Sequence, residues 1–152
     1  MITAPTLTTL LVLAGLAQVA LILASLAIPH VLGWRAETAK LRPLTRQVFW
    51  TYAGYIWTTN LCFGLLSTFG ANLLIDGSRL GTVVSAFIAA YWGARLALQL
   101  FCFDTSEVRR EGPLHRLAEV ALTLLFASLT AVYVGAAVLP AAGLLAAAPP
   151  VS

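Results

Sequence analysis

Three long stretches without a charged residue constrain the fold of this chain more than any other feature. They cover residues 1–34, 47–75 and 120–152. Hydrophobic residues make up 60% of the sequence and charged residues only 10%, which excludes an ordinary soluble domain. A helix needs about 20 apolar residues to cross the hydrocarbon core of a bilayer, so stretches of this length predict an integral membrane protein.

The sequence predicts an all-α fold in which four transmembrane helices form one antiparallel bundle over residues 1–140. Helix breakers and aromatic residues mark helix ends: Gly33 and Trp34 follow the first helix, and Phe49 and Trp50 open the second. The expected helices cover about residues 7–32, 47–75, 80–103 and 114–139. Residues 141–152 are rich in Ala and Pro and are expected to form a C-terminal tail.

The basic residues are distributed unequally between the two ends of these helices. Seven lie in the loops 35–46 and 104–116, and one, Arg79, lies in the short turn on the opposite side. Because loops rich in Lys and Arg stay in the cytoplasm, this asymmetry predicts a multi-pass protein of the cell (inner) membrane. Both loops would be cytoplasmic and both termini outside. The net charge of +3 forms no continuous basic face, so nucleic-acid binding is not expected.

Small residues spaced four apart indicate where helices approach closely in lipid. The third predicted helix has such a stripe, formed by Ser85, Ala89, Gly93 and Ala97. The first helix has a shorter stripe at Ala20 and Ala24, with Gly15 as a further small position. We expect both stripes to face a neighbouring helix.

Arg95 is the single charged residue within the third predicted helix. A charge deep in the hydrocarbon costs roughly 2.5–3.5 kcal/mol on insertion scales, so Arg95 should face the bundle. Measured from the cytoplasmic ends of their helices, Arg95 lies roughly 12 Å deep, Gln18 roughly 15 Å and Asn60 roughly 16 Å. Three helices therefore bring polar side chains to a similar depth.

Three interpretations of Arg95 follow. It could form a buried ion pair with Glu119, one turn into the fourth helix, or extend toward the cytoplasmic surface and Asp104. It could instead line a pocket that holds a carbonyl or phosphate oxygen of a lipid headgroup or quinone. The candidate ligand-binding residues of that pocket are Arg95, Gln18, Asn60, Tyr91, Gln99 and Glu119.

A second polar group lies near the cytoplasmic ends of the helices. His115 and Glu119 are four residues apart and would share a helix face, and His30 lies at the end of the first helix. Such a set can supply metal ligands. Histidines at a membrane boundary ordinarily meet water, however, and we therefore expect no bound metal and no cofactor.

The sequence favours a non-catalytic membrane protein, either an accessory or assembly subunit or a lipid-binding bundle. The basic loop 35–46 would attract anionic lipid. The alternative is a membrane enzyme that acts on a lipid, sterol or quinone at the Arg95 pocket, although the sequence has no nucleophile elbow. A third hypothesis is a small transporter. The expected partners are membrane lipids, with a partner membrane protein or further copies of the chain.

Overall fold

The computed structural model describes residues 2–31, 33–102 and 113–145, and 86% of them are helical. This part of the chain contains no β-strand, so the predicted all-α fold is confirmed. The helices are α1 (Ala4–Ser25), α2 (Ile28–Val31), α3 (Trp34–Ala39), α4 (Pro43–Phe69), α5 (Ala71–Leu74), α6 (Arg79–Phe101) and α7 (Pro113–Ala141). Most of the predicted loop 104–116 and of the predicted tail lies outside the described residues.

Three stretches are long and apolar enough to cross a membrane: Ala4–His30, Arg79–Phe101 and Arg116–Ala141. The mean hydropathies of their apolar windows are 2.5, 1.4 and 2.1. α4 is 27 residues long but carries Thr, Tyr, Trp and Asn side chains, which lower its apolarity. In length and composition these helices suit a helical membrane protein, and the described part of the chain has three of them.

The first predicted helix is interrupted at residues 26–27, where α1 gives way to α2. Pro29 has no N–H to donate, and its ring crowds the preceding turn of a helix. Backbone hydrogen bonds there join residues three apart, as in a 3₁₀ turn: Ala27 N donates to Ala24 O at 3.1 Å, and His30 N donates to Ala27 O at 3.0 Å. A single helix over residues 7–32 is therefore divided before its expected end.

The second predicted helix begins earlier than expected and ends earlier too. α4 begins at Pro43 because proline fits the first helical turn, where its missing N–H has no partner to lose. It ends at Phe69, where Gly70 N donates to Leu66 O at 2.7 Å, and the short α5 follows. Arg46 consequently lies on the first turn of α4 and not in a loop.

The chain forms two compact units. The first, which we call the α1–α4 unit, is Val12–Ala71. The second, the α6–α7 unit, comprises residues 2–11 together with the described residues after 71. Each unit has its own packing, described in turn below.

The α1–α4 unit is most tightly packed at Gly15. A Cβ placed there would lie 2.7 Å from Gly64 O and 2.7 Å from Thr68 N, and it would also meet Thr68 Oγ1. A Cβ at Gly64 would lie 3.0 Å from Val19 Cγ2. The two helices are therefore antiparallel here and meet backbone to backbone, as small residues permit in lipid.

The predicted packing stripe of the first helix is wrong, because Ala20 and Ala24 are exposed. Close approach occurs instead at Gly15, which was only a secondary expectation. Glycine brings the backbones closer than alanine can. The Thr68 hydroxyl next to it donates to Gly64 O at 2.8 Å and so stays paired at the crossing point.

In the α6–α7 unit the two long helices pack along each other. Their buried side chains are almost all apolar or aromatic: Ile88, Ala89, Trp92, Phe126, Leu129, Tyr133, Ala136 and Ala137. A Cβ at Gly93 would lie 3.7 Å from Thr130 Cγ2 of α7, so this part of the predicted stripe faces a helix. Buried Ser85 donates to Leu74 O at 3.2 Å. Ala97, at the end of the stripe, is exposed.

Polar side chains inside the long helices bond to their own backbone. Threonine hydroxyls donate to the carbonyl four residues earlier at Thr8, Thr9, Thr68, Thr123 and Thr130. The fully buried Gln18 donates from Nε2 to Ala14 O at 3.1 Å. These bonds lower the cost of placing a hydroxyl or amide where water is absent.

The start of α6 is fixed by a cap outside the apolar region. Ser78 Oγ accepts from Gly81 N at 3.0 Å, and Asp76 Oδ1 accepts from Ser78 N at 2.8 Å. Ser78, through its hydroxyl and its amide, holds the pKa of Asp76 below its ordinary value of 3.8, because these bonds favour the carboxylate. The short turn predicted between the second and third helices is thus a hydrogen-bonded cap.

We predict that Gly15→Ala lowers the free energy of unfolding by about 1–3 kcal/mol, the usual cost of overpacking a tight contact. Gly54→Ala is the matched control, because the described residues place no atom of another element within 4 Å of a Cβ there. It should be neutral or stabilising by up to about 1 kcal/mol through helix propensity. Reversible unfolding in mixed micelles measures both. Equal effects of the two changes would show that the Gly15 contact does not support the unit.

Candidate functional site

Arg95 lies on α6 and contacts an aromatic side chain of α7. Its guanidinium carbon is 5.7 Å from the ring centroid of Phe126, within the range of a cation–π interaction. Phe126 also stacks against Trp92, with centroids 5.4 Å apart, and the Tyr91 ring lies 5.5 Å from Trp92 at nearly a right angle. Arg95 is half-buried beside this aromatic cluster.

No ion pair within 4.0 Å joins Arg95 to Glu119 in the structure. The register of the helices explains this. Arg95 lies against Phe126, and Glu119 is seven residues earlier on α7, about 10 Å along the helix axis. Asp104, the other partner considered, lies outside the described residues.

Glu119 lines a different feature, a groove of about 410 Å³ near the cytoplasmic ends predicted for α6 and α7. Its walls combine polar and aliphatic side chains: Leu100, Arg116, Glu119, Val120, Thr123 and Leu124. The Thr123 hydroxyl donates to Glu119 O at 2.9 Å. Arg95 does not line this groove.

The remaining predicted site residues are divided between the two units. Tyr91 and Gln99 lie one turn before and one turn after Arg95 on α6, and both are half-buried. Gln18 and Asn60 belong to the α1–α4 unit. Within the described chain, Asn60 Oδ1 is buried without a hydrogen-bond partner, which is a costly arrangement. A pocket that unites all six residues stays a prediction.

The α1–α4 unit contains an open, surface cavity of about 340 Å³ formed by residues of α3 and of the first turns of α4. Arg35, Thr38, Arg46 and Trp50 line it. Helical periodicity places these side chains: Arg35 and Thr38 are three residues apart on α3, and Arg46 and Trp50 are four apart on α4. Thr38 is buried and donates its hydroxyl to Trp34 O at 2.6 Å, which fixes that wall.

The positive charge of this cavity is not neutralised by the nearest acid in the sequence. Glu37 is already held by Lys40, with Nζ 2.8 and 2.9 Å from the two carboxylate oxygens. Neither Arg35 nor Arg46 has a carboxylate within 4.0 Å among the described residues. Two exposed arginines without a carboxylate partner in the described chain therefore line one cavity.

Aromatic rings pack against Trp50, which lines the cavity. Trp34 packs edge-on against Phe49, with centroids 5.3 Å apart, and lies 6.5 Å from Trp50. Phe49 and Trp50 are themselves perpendicular at 5.6 Å. Such tryptophan-rich clusters are typical of the interface between hydrocarbon and water. The cluster connects α3 to α4 and holds Trp50 in position on the cavity wall.

No three His, Cys, Asp or Glu side chains within the described chain lie close enough together to hold a metal ion. His30 is exposed at the end of α2. The His115 side chain, which would complete the considered metal set, lies outside the described residues.

Sequence reasoning identified the basic loop and Trp50 separately and did not recognise them as one site. The spacings of Arg35 with Thr38 and of Arg46 with Trp50 were the available signal, because each pair shares a helix face. Their meeting across two helices depends on the turn between α3 and α4. Phe126, the contact of Arg95, was also missed, since nothing in its own sequence neighbourhood indicates a cation.

The chain matches no protein-family model, no curated protein sequence and no solved structure. Its function is therefore inferred from its own residues.

We predict a coupling free energy of about 0.5–2 kcal/mol between Arg95 and Phe126, the range of cation–π pairs from exposed to desolvated sites. The double-mutant cycle uses Arg95→Met and Phe126→Leu, with unfolding followed in mixed micelles. The loss of the Phe126 contact with Trp92 cancels in the cycle. Phe101→Leu serves as the control partner because Phe101 is 83% exposed on α6, and its coupling should be near zero. Equal coupling in both cycles would contradict the contact.

Proposed function

We propose that this chain is a non-catalytic integral membrane protein that binds membrane lipid. The observation that carries the proposal is the cavity of Arg35, Thr38, Arg46 and Trp50. It combines available positive charge with interfacial aromatic rings at the beginning of a charge-free stretch. Attraction of anionic headgroups to basic residues and anchoring by tryptophan are the two ordinary ways in which a protein surface holds lipid.

We also propose that α4 is a fourth membrane-spanning helix. Its 27 residues correspond to about 40 Å, more than the roughly 30 Å of a hydrocarbon core. Large apolar or aromatic side chains are exposed along its length: Tyr52, Tyr55, Ile56, Leu61, Leu65 and Phe69. This surface would be a liability in water and suits contact with lipid.

The proposed topology places the α3 segment in the cytoplasm of a cell (inner) membrane protein and both termini outside. The positive-inside asymmetry supports this orientation. Under this topology the Arg35–Arg46 cavity faces the cytoplasmic leaflet, whose surface is negatively charged.

We predict that cysteines at residues 3 and 142 are labelled from the same side of the membrane and a cysteine at residue 40 from the other. The variants are Thr3→Cys, Ala142→Cys and Lys40→Cys, after Cys62 and Cys102, both free and exposed, are changed to Ala. A membrane-impermeant maleimide applied to spheroplasts should label the first two and reach residue 40 only after lysis. Labelling of residues 3 and 142 from opposite sides would mean an odd number of spans and would exclude α4.

The enzyme hypothesis receives less support than lipid binding. It needs an acid or base beside Arg95, and Glu119 lies about two turns of α7 before Phe126, the residue that Arg95 contacts. An accessory role beside a partner membrane protein is compatible with lipid binding and requires the same exposed helix faces.

We expect wild-type protein, extracted gently and examined by native mass spectrometry, to retain lipid from its membrane in a small, defined number. An unchanged mass of that lipid after prolonged incubation supports a non-catalytic role, and a chemically altered lipid would support the enzyme alternative. Retention of a stoichiometric protein without lipid would favour an accessory subunit over a lipid-binding bundle. Recovery of the bare chain would contradict both and favour transport.

A further inference from the structure

We propose that the cavity at the start of α4 binds the phosphate of an anionic membrane lipid, with Arg35 and Arg46 as its cationic walls. The inference rests on the lipid-binding function proposed above and deepens it by naming the headgroup chemistry and the residues that select it.

The charge of the cavity favours an anionic ligand. Arg35 and Arg46 line one cavity and have no carboxylate within 4.0 Å among the described residues, since Glu37 is bound by Lys40. A guanidinium group presents paired N–H donors that match two oxygens of a phosphate, and it stays charged at any physiological pH. Two such groups facing the same space favour an anion with several oxygens over a neutral ligand.

The size and the lining residues of the cavity suit a lipid headgroup. A cavity of about 340 Å³ falls at the lower end of small-molecule sites and has room for a glycerophosphate headgroup. The Thr38 hydroxyl hydrogen is engaged by Trp34 O, which leaves its oxygen to accept from a headgroup hydroxyl. Trp50, one turn after Arg46 and nearer the apolar part of α4, also lines the cavity.

The position of the cavity along α4 favours a lipid over free phosphate. Arg46 is the last charged residue before residues 47–75, so the cavity lies where that charge-free stretch begins. Gly54 follows Trp50 by one turn on the same face of α4. A Cβ placed at Gly54 would have no atom of the described residues within 4 Å, apart from the backbone of its own helix. An acyl chain attached to the bound phosphate has a path along this face, which a free phosphate does not need.

The test compares variants of the 152-residue chain in detergent by native mass spectrometry during titration with phosphatidylglycerol. Arg35→Gln and Arg46→Gln should each weaken binding about tenfold, the effect of losing a charge-assisted hydrogen bond. The lipid affinity of Arg46→Lys should lie between that of these two variants and that of wild type, because lysine keeps the charge and loses the paired donors. Arg42→Gln is the matched control: it removes the same charge from the same segment, at a residue that does not line the cavity. It should change binding less than about twofold.

Two further measurements identify the source of the phosphate and exclude misfolding. Phosphatidylcholine, which carries the same phosphodiester with a compensating cation, should bind more weakly than phosphatidylglycerol, and the preference should vanish in Arg46→Gln. Inorganic phosphate in large excess should not displace the lipid. Thermal unfolding of all variants should match wild type, since Arg35, Arg42 and Arg46 are exposed and the described residues give them no ion pair.

The outcomes separate this site from the broader function. Equal weakening by Arg42→Gln and Arg46→Gln would show diffuse attraction to the basic segment and overturn the site. Unchanged lipid binding in Arg35→Gln and Arg46→Gln would also overturn it, while lipid binding itself would stand. Displacement by inorganic phosphate would assign the cavity to a soluble anion. A wild-type protein that binds no lipid would reject the proposed function together with the site.

Discussion

Hydrocarbon offers no hydrogen-bond partner, and the structure of this chain depends on satisfying its polar groups without water. Long helices solve the problem for the backbone, and side chains follow the same rule. Threonine hydroxyls return to their own helix, and buried Gln18 donates to Ala14 O. Arg95, the most expensive group to place, lies against the face of the Phe126 ring. Among the described residues, Asn60 Oδ1 is the exception: it is buried without a hydrogen-bond partner, which lowers the stability of the fold.

Where apolar burial does not distinguish a helix from lipid, close contact decides which helices meet. Gly15 and Gly64 allow the backbones of α1 and α4 to come into contact. A larger side chain at either position would overlap sterically with the other helix. In the α6–α7 unit, large aromatic side chains fill the space instead, with Trp92 and Tyr133 almost fully buried. The two units therefore illustrate two ways to pack helices in lipid, one with glycine and one with aromatic rings.

The charged end of α4 connects this architecture to the proposed function. In the proposed topology its arginines lie at the membrane boundary, close to the packed rings of Trp34, Phe49 and Trp50. Glu37 is occupied by Lys40, so the charge of the cavity remains available. The proposed site for an anionic headgroup thus uses basic and aromatic residues of the kind that membrane helices carry at their ends. What distinguishes this one is that Arg35 of α3 and Arg46 of α4 line the same cavity.

The sequence by itself determined the membrane character, the all-α class and the approximate limits of the helices, because exclusion of charge from lipid acts along the chain. It also indicated which residues are polar at depth. Tertiary structure decided which of them meet. Arg95 has Phe126 and not Glu119 as its neighbour because the register of α6 against α7 separates the charges by about two turns. Gly15 and not Ala20 forms the close contact, and Arg35 joins Arg46, because such pairings depend on helix rotation and turn geometry, which one helix's residues do not specify.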